Sequence, residues 1–140
     1  MAGGKLKRKQ DWPILLSAYL KERAGMPFVR GKNDCMIFCA DCILELTGTD
    51  PAPELRNYKT KKGADKIIKS FGQSIEDIIT SKLGGPKPIT KAMRGDIVLF
   101  NHNGDPCGGV VDESAKNAAF VTESGLCRIP LKNCLKAWGY

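Results

Sequence analysis

Three cysteines stand close together in the run Cys35-Met36-Ile37-Phe38-Cys39-Ala40-Asp41-Cys42, and a single histidine, His102, occurs in the chain. A thiol and an imidazole can make a nucleophile and its general base. The thiolate is the attacking species, and a base or a helix N-terminus is what generates it near neutral pH. Cys35 follows Asn33-Asp34, a pair able to cap a helix, and opens an apolar run at helical spacing. A thiol in a first helical turn lies beside unpaired backbone N–H groups and the positive end of the helix dipole, which favour the thiolate and can also hold an oxyanion. Cys35 is therefore the candidate nucleophile. Cys39 and Cys42 fall on the same helix face as Cys35 and read as small buried thiols.

The same C-x3-C-x2-C spacing superficially matches the iron–sulfur motif of radical enzymes dependent on S-adenosylmethionine. The barrel those enzymes use needs on the order of 200 residues or more, and this chain has 140. Structural zinc takes its ligands as two close pairs, whereas the remaining cysteines, at 107, 127 and 134, are dispersed. Neither a metal nor a cofactor is expected. With no apolar leader between Met1 and Gln10, the six cysteines are expected to be free thiols of a protein made in a reducing cytoplasm.

Positioning these groups falls to one domain's length of chain. Its 22 Lys+Arg against 15 Asp+Glu give a formal charge of +7. Lys5, Lys7, Arg8 and Lys9 carry four of those cations without an acid among them, so residues 1–10 read as a flexible basic arm ahead of a single domain over 11–140. Such an arm suits an acidic partner or an anionic surface. The lysines at 59, 61, 62, 66 and 69 lack aromatics at a stacking spacing, so nucleic acid is not an expected partner. No apolar run approaches membrane-spanning length.

Periodicity of 3.6 predicts helices over 12–24, with Asp11 as N-cap and Gly25 as stop, and over 35–47, stopped by Gly48. Shorter helices are expected over 64–71 and 75–83, the latter opened by Ser74 with Asp77. After Gly84-Gly85-Pro86 the period falls to 2. Strands are expected over 96–101, 108–112, 118–122 and 126–129, with a last one at 138–140. Helices followed by a meander imply an α+β fold, its helical N-terminal half packed on an antiparallel sheet from the C-terminal half.

Several of these segments together resemble one family. Phe28-Val29-Arg30-Gly31-Lys32-Asn33-Asp34-Cys35-Met36-Ile37-Phe38 is similar to the F-x-x-G-x-x-D-C-x-x-F signature of the NlpC/P60 cell-wall cysteine peptidases, and Arg94-Gly95-Asp96 through Phe100 to their R-G-D-x-x-x-F strand. Gly48, Pro51 and Tyr58 fall where the family has a G…P…Y stretch. The ending Gly125-Leu126…Pro130-Leu131…Ala137-Trp138 resembles a branch encoded in phage tail gene clusters and gene transfer agents.

The resemblance implies a papain-like fold in which Cys35 on a helix faces a histidine on the sheet, and cleavage of peptide bonds in peptidoglycan. It also implies a tail-tip protein, assembled in the host cytoplasm with other tail-tip proteins and then carried in the virion tail. The family's H-x-G histidine falls on Cys107-Gly108-Gly109, and its third polar member near Phe120.

His102 is the imidazole left to serve as a relocated base. A two-residue turn at Gly104-Asp105 would set it opposite Cys107, on the face that could meet Cys35; alternatively it is an exposed turn residue. Two functions follow from these readings. One is a tail-tip peptidoglycan peptidase. The other is a non-catalytic structural component of the tail tip, since loss of a general base forfeits typically 10²–10⁴-fold in rate. Without an imidazole, Cys35 is expected to stay largely protonated at about pH 6.

Overall fold

Pro13 pre-sets the first turn of helix α1, Trp12–Ala24, whose Leu16, Tyr19 and Leu20 are buried on one side. The Asp11 side chain makes no cap bond. The computed structural model describes residues 6–140. Helix α2, Cys35–Thr47, is apolar around most of its circumference and buries Ile37, Phe38, Cys39, Ala40, Cys42, Ile43 and Leu46. That composition makes it the central helix, enclosed by neighbours on nearly every side. It stops at Gly48, which adopts the left-handed conformation.

Helix α3, Lys61–Phe71, begins three residues earlier than its apolar period suggests, because the Thr60 side chain accepts the Gly63 N–H at 3.0 Å and caps it there. Helix α4, Ile75–Leu83, starts where the Asp77 carboxylate accepts the N–H groups of Gln73 and Ser74 at 2.7 and 3.1 Å.

Five strands follow: β1 Ile97–His102, β2 Asp105–Val111, β3 Asn117–Thr122, β4 Gly125–Pro130 and β5 Lys136–Trp138. They form one antiparallel sheet in the order β4-β3-β2-β1-β5, so the last strand crosses over to pair with the first. Alternation along β1 sends Ile97 and Leu99 into the core shared with α1 and α2, and Val98 and Phe100 into a second cluster with Phe120, Cys134 and Ala137. The sheet is thus apolar on both faces. The architecture is the α+β arrangement expected, with helices first and an antiparallel sheet after.

Two expectations need correction. The turn between β1 and β2 is Asn103-Gly104, with φ of 53° and 86°, not Gly104-Asp105. Both residues take positive φ, the requirement of the two-residue turn that matches strand twist, and Asn-Gly meets it best. His102 therefore pairs with Asp105, and Cys107 pairs with Phe100.

The second correction concerns the basic segment. Met1–Lys5 lie outside the described residues, but Leu6–Gln10 are not a free arm. Leu6 packs on the main core, and the Lys9 N–H donates to the Leu46 carbonyl at 2.7 Å. Arg8 pairs with buried Asp96 at 2.7 Å, donates to the Arg94 carbonyl at 2.6 Å and lies 4.5 Å from the centres of the Trp12 and Tyr140 rings. The Tyr140 hydroxyl completes the clasp by donating to the Gly95 carbonyl at 2.7 Å.

Candidate active site

Between α1 and α2 the chain makes a tight loop, in which Val29 and Asn33 exchange backbone hydrogen bonds of 3.2 and 2.7 Å. Gly31 sits in it at φ +84°, and a Cβ there would fall 2.0 Å from the Tyr58 carbonyl oxygen, so no other residue fits. Asn33, fully enclosed, donates to the Pro27 carbonyl at 2.9 Å and accepts from Arg23 at 2.9 Å. Arg23 in turn pairs with Asp41 of α2, and Asp41 with Arg56.

Asp34 is the last residue of this loop and the cap of α2. One carboxylate oxygen accepts the Ile37 N–H at 3.0 Å; the other accepts the Gly31 N–H at 2.9 Å and the Tyr58 hydroxyl. A buried carboxylate with three donors is satisfied, and it locks the first turn of the helix to the loop before it. Burial and the bond to Asp34 push the Tyr58 hydroxyl far above its ordinary pKa, so it stays a donor.

Cys35 is the next residue, half-buried and directed toward the sheet at β2. Cys107 of that strand lines the same groove as Cys35. The Cys35 pKa is lowered, by Cys107 first; burial opposes this, and the Gly108 N–H and the Arg30 guanidinium assist. Cys35 and burial hold Cys107 far above its ordinary pKa. The Cys35 pKa thus lies below the ordinary thiol value, with a second thiol rather than an imidazole as the first cause.

Close approach of β2 to α2 requires Gly108, where a Cβ would stand 3.2 Å from Cys39 Sγ and 3.9 Å from the Cys35 carbonyl. Cys39 and Cys42 are enclosed behind Cys35, with thiols pushed upward by burial, Cys42 to about 12. They pack as core residues.

His102 lines the same groove as Cys35, but it is not among the groups acting on the Cys35 thiol. Its ring centre lies 5.5 Å from that of Phe120, and its Nε2 is 3.4 Å from the Asn103 amide. Cys35, Cys107 and His102 therefore line one groove, while the imidazole is engaged on an aromatic ring. The role of Cys107 showed in the sequence only as a gap in the H-x-G motif, and that of Tyr58 only as one letter of G…P…Y.

The groove has a volume of about 790 Å³ and runs between the start of α2, α3, and the β1–β2 and β3–β4 turns. Arg30, Lys61 and Lys69 line it together with Asp65, Asp105 and Glu123. Next to Cys35 opens an apolar pouch of about 50 Å³ whose lining includes Met36, Leu55 and Ile78. Among the described residues, no group of three or more His, Cys, Asp or Glu is placed to hold a metal ion, and no helix is long and apolar enough to cross a membrane.

A family model described as Domain of unknown function (DUF6950) matches residues 7–140. Comparison with curated proteins gave no match. Among solved structures, the chain is similar to the crystal structure of the NlpC/p60 domain of the peptidoglycan hydrolase SagA. The TM-score is 0.59 at 14% identity, covering 91% of this chain and 98% of that one. At that identity the likeness is one of fold, and it extends over nearly the full length of both chains.

Proposed function

This chain belongs to the DUF6950 family, and we propose that it is a phage tail-tip protein whose NlpC/P60-like domain engages the peptide of peptidoglycan in the Cys35 groove without hydrolysing it at an enzyme's rate. One observation carries this reading: His102, the single histidine of the chain, lies against Phe120 and is not among the groups acting on the Cys35 thiol. The fold shared with a peptidoglycan hydrolase domain supports the choice of ligand. A groove with both cations and carboxylates suits a peptide bearing both, and a net charge of +7 suits an anionic wall. The tail-tip assignment rests on the C-terminal resemblance to tail-cluster proteins. It carries with it other tail-tip proteins as partners, assembly in the host cytoplasm and a final place in the virion.

Cys35 is equipped for the first half of amide cleavage and not for the rest. Its thiolate is stabilised, and the N–H groups at the start of α2 can receive an oxyanion. The departing amine then needs a proton, and the Cys107 thiol, held above its ordinary pKa, is a poor acid. Release of the acyl group needs a base to activate water, a task a histidine performs at neutral pH and a thiol does not.

Purified sacculi test both parts. The protein should co-sediment with them, yet release no more muropeptide than Cys35→Ala. Cys107→His, which returns an imidazole to the position of the H-x-G histidine, should raise release by roughly 10²-fold. Robust release lost in both Cys35→Ala and His102→Ala would overturn the reading in favour of a relocated dyad, and failure to co-sediment would remove the ligand. Immunogold labelling of purified virions locates the chain at the tail tip or elsewhere.

A further inference from the structure

Core packing leaves the apolar pouch of about 50 Å³ beside Cys35, and the pouch opens on the groove, because Cys35, Met36 and Ile75 line both. Behind them it runs between α2, the segment 51–55, α4 and the start of β1, and Ala40, Ile43, Leu55 and Ile78 on its walls are buried. Its lining presents almost no polar surface. Lys82 is the one charged residue of that lining among the described residues; its ammonium is held by Glu54 and lies 5.2 Å from the centre of the Phe71 ring.

Water gains little in such a space, since it needs two to four polar partners. A small alkyl group gains more, because it supplies the contact atoms that the facing walls lack across the space. Size sets the upper bound. One water needs about 10–15 Å³ and a cavity of about 150 Å³ accepts benzene, so a pouch of about 50 Å³ takes roughly one to three carbons.

We propose that the pouch is a specificity pocket, which takes a small aliphatic side chain, that of alanine or valine, from the residue whose carbonyl a bound peptide presents to Cys35. The inference rests on the reading that the groove takes a peptide, and it names which one. Cys35 lines the mouth, so a carbonyl set at its sulfur brings the side chain of its own residue within reach of the pouch. An aromatic side chain would have to displace walls that are anchored in the core, and a charged one would lose its water without gaining a partner. One methylene more or less in an apolar pocket changes selection by about 10–200-fold.

Acetylated dipeptide chloromethyl ketones ending in glycine, alanine, valine or phenylalanine place that last side chain next to the reacting group. The Cys35 thiolate displaces chloride: a carbon–sulfur bond forms as the carbon–chlorine bond breaks, and the thiol proton goes to solvent. The full chain is treated with each reagent, and labelling of Cys35 is timed by peptide mass spectrometry relative to labelling of free glutathione. The faster of the alanine and valine reagents should lead both the glycine and the phenylalanine reagents by about tenfold or more. Ile78→Ala, which widens the pouch, should bring phenylalanine level with valine, and Ala40→Val, which narrows it, should erase the lead. Near-UV circular dichroism establishes that each variant is folded, and if one is not, the wild-type series alone decides. The inference is overturned if phenylalanine leads in the wild type, if the four rates follow those with glutathione, or if folded variants leave the ranking unchanged. It is equally overturned if no reagent labels Cys35 under conditions that label the guanidinium-unfolded chain. Co-sedimentation with sacculi is scored separately: a lost ranking with sedimentation intact overturns the pocket alone, and a ranking without sedimentation removes the wall peptide alone.

Discussion

Replacing Arg8 by alanine tests whether the segment ahead of α1 belongs to the folded domain. The guanidinium spans two acceptors, the Arg94 carbonyl at 2.6 Å and the Asp96 carboxylate at 2.7 Å, and lies between the rings of Trp12 and Tyr140. Removing one partner of a buried ion pair costs about 3–5 kcal/mol when the remaining charge is orphaned. Asp96 would not be fully orphaned, since Lys87 stays at 2.7 Å and the Met93 N–H at 2.8 Å. Two ring contacts are lost as well, at about 0.5–1 kcal/mol each. The net expectation is roughly 3 kcal/mol, or a Tm lower by about 6–12 °C for a domain of this size. Thermal unfolding followed by circular dichroism measures it. Arg8→Lys should lose about half as much, because an ammonium can serve one of the two acceptors well but lacks the planar fork that serves both. A Tm within about 2 °C of wild type for Arg8→Ala would show that Leu6–Gln10 rest on the domain without contributing to it.

Two further outcomes are expected. Tyr58→Phe leaves one oxygen of buried Asp34 short of a donor and should cost about 1–3 kcal/mol in urea unfolding, whereas no measurable loss would mean that the loop before Cys35 is held without this bond. At Asp112, burial raises the carboxyl pKa, but bonds from Ser114 and Arg128 more than offset it and hold it below the usual carboxylate range. Its contribution to stability is present above about pH 4 and lost as the pH falls through the lowered folded value, so the acid limb of the stability curve between about pH 4 and pH 2 should be shallower in Asp112→Asn.

Helices α2 and α4 were legible because each carries local chemistry at its ends. Asp34 and Gly48 bracket α2, and the Asp77 carboxylate and Gly84 bracket α4, within a few residues of sequence. The β1–β2 turn was misread by one residue, although Asn103-Gly104, with positive φ at both residues, carried a stronger turn signal than Gly104-Asp105. What could not be read lies in pairs far apart along the chain. Arg8 sits among lysines and looks solvated, but Asp96 stands 88 residues away and needs a cation once buried. Cys107 is likewise an ordinary residue after a turn until the fold sets it on the wall of the Cys35 groove, a placement no local pattern encodes.

A thiol where a histidine would stand also changes the electrostatics of the groove. A thiolate paired with an imidazolium is neutral as a pair, whereas a thiolate beside a thiol keeps one net negative charge. The charge must be offset locally or the thiolate loses ground to its protonated form, since burial works against it and Asp34 adds a second negative charge nearby. Arg30 supplies the offset. It belongs to the same tight loop as Gly31 and Asn33, and its guanidinium lies 4.8 Å from the centre of the Phe28 ring, which keeps it along the groove wall. A cation placed there serves a thiolate without an imidazolium more than it would serve a thiol–imidazole pair, because in the latter the imidazolium already carries the compensating charge. The loop before α2 therefore does two things at once: through Asp34 it fixes where the Cys35 sulfur stands, and through Arg30 it favours the ionised state in which that sulfur reacts.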